Sequence, residues 1–121
     1  MSYYSDYANW TARIYNAILD ISDLEFQRRA WLTRGNEVSS FTEVISTLYD
    51  DSFFTDFLKD EVWDKTGLSD DIRKGMRELM RELDLYCNTD KEDSEILVDP
   101  KWHRIAKQAK SIVSMIEGRA I

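Results

Sequence analysis

Apolar residues recur every three or four positions through most of this chain, and very little interrupts them. Its 121 residues include four glycines and a single proline, Pro100. A period near 3.6 places such positions on one face of a helix. The scarcity of Gly and Pro excludes collagen-like, linker-rich and turn-dense β architectures. The expectation is an all-α fold: one compact bundle of about five or six helices spanning residues 1–121, without a linker or an internal repeat. Apolar residues make up 43% of the chain and charged residues 32%. That balance supports a core and argues against disorder.

Local signals divide the chain. Ser5 or Asp6 can cap a first helix that carries Tyr7, Trp10, Ile14, Ile18 and Ile21 on one face. Asp23 can cap a second with Leu24, Phe26, Ala30 and Trp31, before a break at Gly35 and Asn36. Ser40 and Glu43 stand in the capping-box relation ahead of Phe41, Val44, Ile45, Leu48 and Tyr49. Ser52 can open a short helix through Phe57 and Leu58, and Gly67 marks a stop after Trp63. Ser69 caps the next helix, with Asp70 and Asp71 in its first turn, where the macrodipole favours anions. Asn88 to Ser94 reads as a polar loop, and Glu95 to Val98 is the one candidate for extended structure. Asp99 followed by Pro100 starts the last helix: a side-chain acceptor, then a residue without an N–H. Its inward stripe runs from Trp102 through Ile105, Ala109 and Ile112 to Ile116, and Gly118 lies where it should end. Trp10, Trp31, Trp63 and Trp102 are expected in the core, where rings fill the space between helices.

The net charge of −7 is local in origin. Residues 20–71 hold thirteen acids and five bases, whereas residues 72–121 hold nine acids and ten bases. The densest stretch, Asp50 to Asp71, sets eight acids against Lys59 and Lys65. Such a surface serves solubility or steers a cationic partner. It is a poor ligand for nucleic acid. The cations of the last helix, Lys101, Arg104, Lys107 and Lys110, offset the acidic middle or pair with another copy of the chain.

The catalytic inventory is thin. The sole histidine, His103, shares a polar row with Asp99 and Lys107, which predicts a solvated ring able to pair with Asp99. The sole cysteine, Cys87, lies near a helix end with no activating base nearby in sequence. It reads as a buried or partly buried thiol, and a lone thiol fits a reducing compartment. Glu78 and Glu82 are laced by Lys74, Arg77 and Arg81 at ion-pair spacing. The Glu-x-x-His spacing of di-iron bundles, the glycine of an EF-hand loop and a Gly-rich phosphate loop are all missing. A magnesium site at Asp50, Asp51 and Asp56 lacks a second acidic cluster. The expectation is therefore no enzyme, no metal and no cofactor. No run approaches 18 apolar residues, and Met1 to Trp10 lacks the basic and apolar regions of a signal peptide, so no membrane association is expected.

Ser39, Ser40, Phe41 and Glu43, then Asp50 and Asp51, then Phe57 and Leu58, with Leu97, Asp99, Pro100 and Trp102 near the end, carry a resemblance of general character. A small, acidic, helical chain of this kind resembles the immunity proteins of bacterial polymorphic-toxin and contact-dependent inhibition systems. The resemblance implies a one-to-one complex with a cognate toxin in the cytoplasm of the producing cell, often a nuclease with a basic groove that an acidic inhibitor covers. On the residues themselves, the expected partner-binding surface is Asp50, Asp51, Asp56, Asp60, Glu61 and Asp64. Phe53, Phe54 or Trp63 would be the apolar anchor, unless these rings are core and the acids merely solvated. The alternative is a self-associating structural or adaptor protein, a homo-oligomer built on Tyr3, Tyr4 and Tyr7.

Overall fold

The computed structural model describes residues 7–32, 40–87 and 90–119. Among them are eight α-helices and no strand, so the fold is all-α. The helices are α1 (Tyr7–Ser22), α2 (Leu24–Leu32), α3 (Phe41–Ser46), α4 (Phe54–Phe57), α5 (Asp60–Thr66), α6 (Asp70–Tyr86), α7 (Asp93–Leu97) and α8 (Pro100–Arg119). A π-helical turn, Thr47–Asp51, continues α3.

The caps follow local chemistry. Asp23 Oδ1 accepts from the Phe26 amide at 3.0 Å, Ser40 Oγ from Glu43 at 3.1 Å and Ser69 Oγ from Ile72 at 3.3 Å. Asp99 Oδ1 accepts from Lys101 N at 3.0 Å at the head of α8. Each bond satisfies an amide that the first turn leaves without an intrahelical acceptor. Gly67 ends α5 at φ 72°, a conformation that costs glycine little.

The long helices α1, α6 and α8 frame the core, with α8 packed along both α1 and α6. Gly75 is the point of close approach between α6 and α8. A Cβ there would meet Ile112 Cγ1 at 3.3 Å and Met115 Cε at 3.4 Å. Two aromatic groups fill the interior. Trp31, Phe41 and Tyr86 surround Trp102 at centroid distances of 6.1, 5.3 and 5.7 Å. Phe57 bridges Trp10 and Trp63 at 5.5 and 5.7 Å. All four tryptophans are buried, as the aromatic content predicts.

Several local expectations are corrected. The helices outnumber the expected five or six because Asp60–Thr66 forms a helix of its own after the α4 turn and Asp93–Leu97 forms another. The Glu95–Val98 stretch is not extended: Glu95 to Leu97 are helical and Val98 is the C-cap. The Glu92 side chain accepts from the Glu95 amide while Glu95 accepts from Glu92 N, and this closed box starts α7. The last helix runs past Gly118 to Arg119. At an exposed end, glycine costs about 1 kcal/mol or less. Cys87 is exposed at the C-cap of α6. Desolvation, and next the charge of Asp84, still hold its thiol above the usual value. His103 does not pair with Asp99. Its half-buried ring donates from Nε2 to the Leu97 carbonyl at 2.6 Å, and Tyr86 and Lys91 occupy the Asp99 carboxylate. The Ser5/Asp6 cap, the Gly35–Asn36 break, Asn88, Tyr3 and Tyr4 lie outside the described residues. Tyr7 is half-buried and stacks on Trp10 at 6.4 Å.

Candidate functional site

The acidic stretch folds into the π-turn, α4 and α5, and the path of the chain there decides which side chains face out. α3 passes into the wider π-turn at Thr47, leaving Asp50 and Asp51 exposed at its end. Such turns are uncommon and recur at functional sites. Ser52 then turns inward. It is buried, and its carbonyl accepts from Trp10 Nε1 at 2.7 Å, which pins the turn to the first turn of α1. Phe53 follows at φ 53° and ψ 53°, and it is the one non-glycine residue with positive φ among the described residues. A left-handed conformation costs an L-residue roughly 1–2 kcal/mol. It also reverses the chain so that Phe54 enters the core while Phe53 stays 38% exposed.

The nine expected binding residues therefore separate. Asp50, Asp51, Phe53, Glu61 and Asp64 lie on the surface. Phe54 and Trp63 do not, which corrects their reading as anchors. Phe54 packs edge-on against Tyr49, Trp63 against Phe57, and neither presents a face to a partner. Asp56 is half-buried and pairs with Lys59 at 2.9 Å. Asp60 is exposed but engaged by Arg73 at 2.7 Å, and the hydrogen bond from that guanidinium, with its charge, holds the carboxyl below its usual range. The remaining acids, Asp50, Asp51, Glu61 and Asp64, make no ion pair among the described residues.

Sequence reasoning missed the residues that brace this surface. Arg73 of α6 donates both to Asp60 and to the Leu58 carbonyl, and its guanidinium lies 5.7 Å from the Trp63 ring centroid. One side chain thus ties α4, α5 and α6 together. Tyr49, inside the π-turn, donates to Asp84 at 2.9 Å and lies 3.3 Å from the Met80 carbonyl. Burial, then the carboxylate partner, pushes its hydroxyl pKa far up, so it remains a donor. No local signal announces either contact, because the partners are 13 to 35 residues away.

This geometry offers charge and one exposed aromatic side chain. Among the described residues no three His, Cys, Asp or Glu side chains are grouped to hold a metal ion, and no helix is long and apolar enough to cross a membrane. A family described as Domain of unknown function (DUF7945) matches residues 5–119, nearly the full length. The chain belongs to this family. No curated protein and no solved structure gives a significant match. The DUF7945 match includes the whole acidic face, its Arg73 and Tyr49 braces and the α8 cations.

Proposed function

We propose that this chain is a protein-binding inhibitor, most concretely an immunity protein that neutralises a cognate bacterial toxin in the cytoplasm by covering a basic functional surface. The observation that carries the reading is the Asp50–Phe53 turn, where a strained, exposed phenylalanine follows two exposed carboxylates. Backbone strain persists only where the surroundings hold it, and the Ser52–Trp10 bond beside Phe53 is part of that hold. A fold selected for stability alone favours Gly or Asn at such a position. Phe53 puts a ring at the surface instead, the residue class that anchors interfaces, within carboxylates that speed encounter with a cationic partner. Glu61 and Asp64 extend the acidic surface, whereas Asp60 serves α6.

The experiment is protection. A toxin domain encoded beside this chain is expected to arrest growth when expressed alone. It should be harmless when co-expressed with the wild-type chain, with which it should form a 1:1 complex. Asp50→Lys with Asp51→Lys should lose protection while remaining folded. A harmless neighbouring product, or protection that survives the reversal, would end this reading of the turn.

A further inference from the structure

The second half of the molecule carries a surface of the opposite sign. A groove of about 320 Å³ lies between the C-terminal half of α6 and the N-terminal half of α8. Tyr86 and Ile105, both buried, form its base, and Leu85 stands at its edge with 68% of its surface exposed. Lys101 and Arg104 flank it and make no ion pair among the described residues. Its one acid, Glu82, lies 3.9 Å from Arg81. Gln108 also lines the groove, and its Oε1 is buried without a hydrogen-bond donor. In a chain of net charge −7, two cations without an ion pair among the described residues thus sit beside an exposed leucine.

The complement of that groove is present on the same chain. We propose that it receives the Asp50–Phe53 turn of a second copy. Phe53 covers Leu85 and the edge of Tyr86, while Asp50 and Asp51 meet Lys101 and Arg104. The turn sets its ring beside two acids, and the groove sets its leucine beside two cations and one acid, so charge complementarity adds register to apolar contact. A single turn in one groove buries far less than the 1,200–2,000 Å² of a standard stable interface, so the association is weak and reversible. It joins unlike surfaces, and either closes as a reciprocal pair or adds further copies. In the absence of a toxin it would shield Phe53 from solvent. It rests on the same turn as the inhibitor reading but needs no toxin to be tested, so either can fail without the other.

Sedimentation of the purified full chain decides it. Wild type is expected to self-associate at low salt and to dissociate toward monomer at 1 M salt, where screening acts within about 3 Å. Lys101→Glu with Arg104→Glu should weaken association by roughly tenfold or more through like-charge contact. Asp50→Asn, Asp51→Asn and Phe53→Asn together should do the same from the other side. Both variants should keep the wild-type helical spectrum. Lys101 lies in the first turn of α8, where a glutamate suits the macrodipole, Arg104 is exposed one turn on, and asparagine tolerates the left-handed conformation. Each variant retains the half that the other lacks, so a mixture of the two should form a 1:1 complex. A wild type that stays monomeric up to roughly 1 mM, the range of the weakest specific contacts, overturns the proposal. So does association that survives in both variants, or a mixture that stays monomeric.

Discussion

The indole Nε1 of Trp102 donates to Oε1 of Gln27 at 2.9 Å, joining α8 to α2 across 75 positions of sequence. Gln27 is fully buried, and its Nε2 donates to the carbonyls of Asp20 and Ile21 at 2.8 and 3.0 Å. One amide therefore satisfies the end of α1 and the central ring of the larger aromatic group at once. Gln27→Ala should leave the buried indole N–H and the buried Ile21 carbonyl without this partner, whereas the Asp20 carbonyl lies nearer the surface and still accepts from Asp23 N at 3.4 Å. An unsatisfied buried group costs about 1–3 kcal/mol, so a loss of roughly 3 kcal/mol is expected. Urea denaturation checks it, and Trp102→Phe, which strands only the Gln27 oxygen, should cost less.

Phe53 should show stability and binding in opposition. Phe53→Gly or Phe53→Asn relieves the left-handed strain, and the parent side chain is only partly buried, so stability should rise by up to about 1 kcal/mol. Affinity for a partner should fall, because the exposed ring is removed. Thermal unfolding and binding measured on the same variants check both signs. A variant less stable than wild type would mean that the packing of Phe53 outweighs its strain.

Asp99 predicts a specific acid sensitivity. It is only 8% exposed, and its carboxylate accepts from Tyr86 Oη at 2.6 Å, from Lys101 N, and from Lys91 Nζ at 3.4 Å. The Tyr86 hydrogen bond first, then the Lys101 amide and the Lys91 charge, hold its pKa below the ordinary 3.8 against the cost of desolvation. A depressed carboxyl stabilises the fold fully above its unfolded value, and the contribution disappears as pH falls from near 4 through the folded value. Asp99→Asn should therefore lower stability at pH 7 and converge with wild type once pH has fallen through the folded value. Denaturation midpoints across that range check the sign.

The acidic face should tolerate reversal in folding but not in association. Asp50→Lys, Asp51→Lys and Asp64→Lys change exposed groups that make no ion pair among the described residues. Stability should change by roughly 0.5 kcal/mol or less. The rate of association with a basic partner should fall, and its dependence on salt should shrink or invert. Stopped-flow rates at several salt concentrations test this. Asp60→Lys should behave differently, because it breaks the Arg73 contact and places like charges together at the junction of α5 and α6.

Cys87 should not matter for folding. The thiol is exposed, at a helix end, and is the chain's one cysteine. Unfolding curves with and without reductant should superimpose. A shift would point to a disulfide between two copies.

Local chemistry determined much of this protein. The three- and four-residue apolar spacing predicts α1, α6 and α8, and Asp23, Ser40, Ser69 and the Asp99–Pro100 pair mark helix starts. A cap involves atoms within three residues of one another, so the sequence alone contains both partners. The exposed acids around Asp50 and the aromatic core are also legible, since charge and ring content need no fold to be counted. The distinction between Phe53 and Phe54 is not. Two adjacent, identical residues have opposite fates at a turn where Trp10, 42 positions from Ser52, holds that carbonyl and the next residue is left-handed. Asp60 likewise reads as one more surface acid until Arg73 arrives from α6, and His103 pairs with Leu97 once Tyr86 has claimed Asp99. Burial and pairing depend on which distant elements meet. Only the tertiary structure decides that, because local spacing orients a side chain around its own helix and says nothing of what lies opposite.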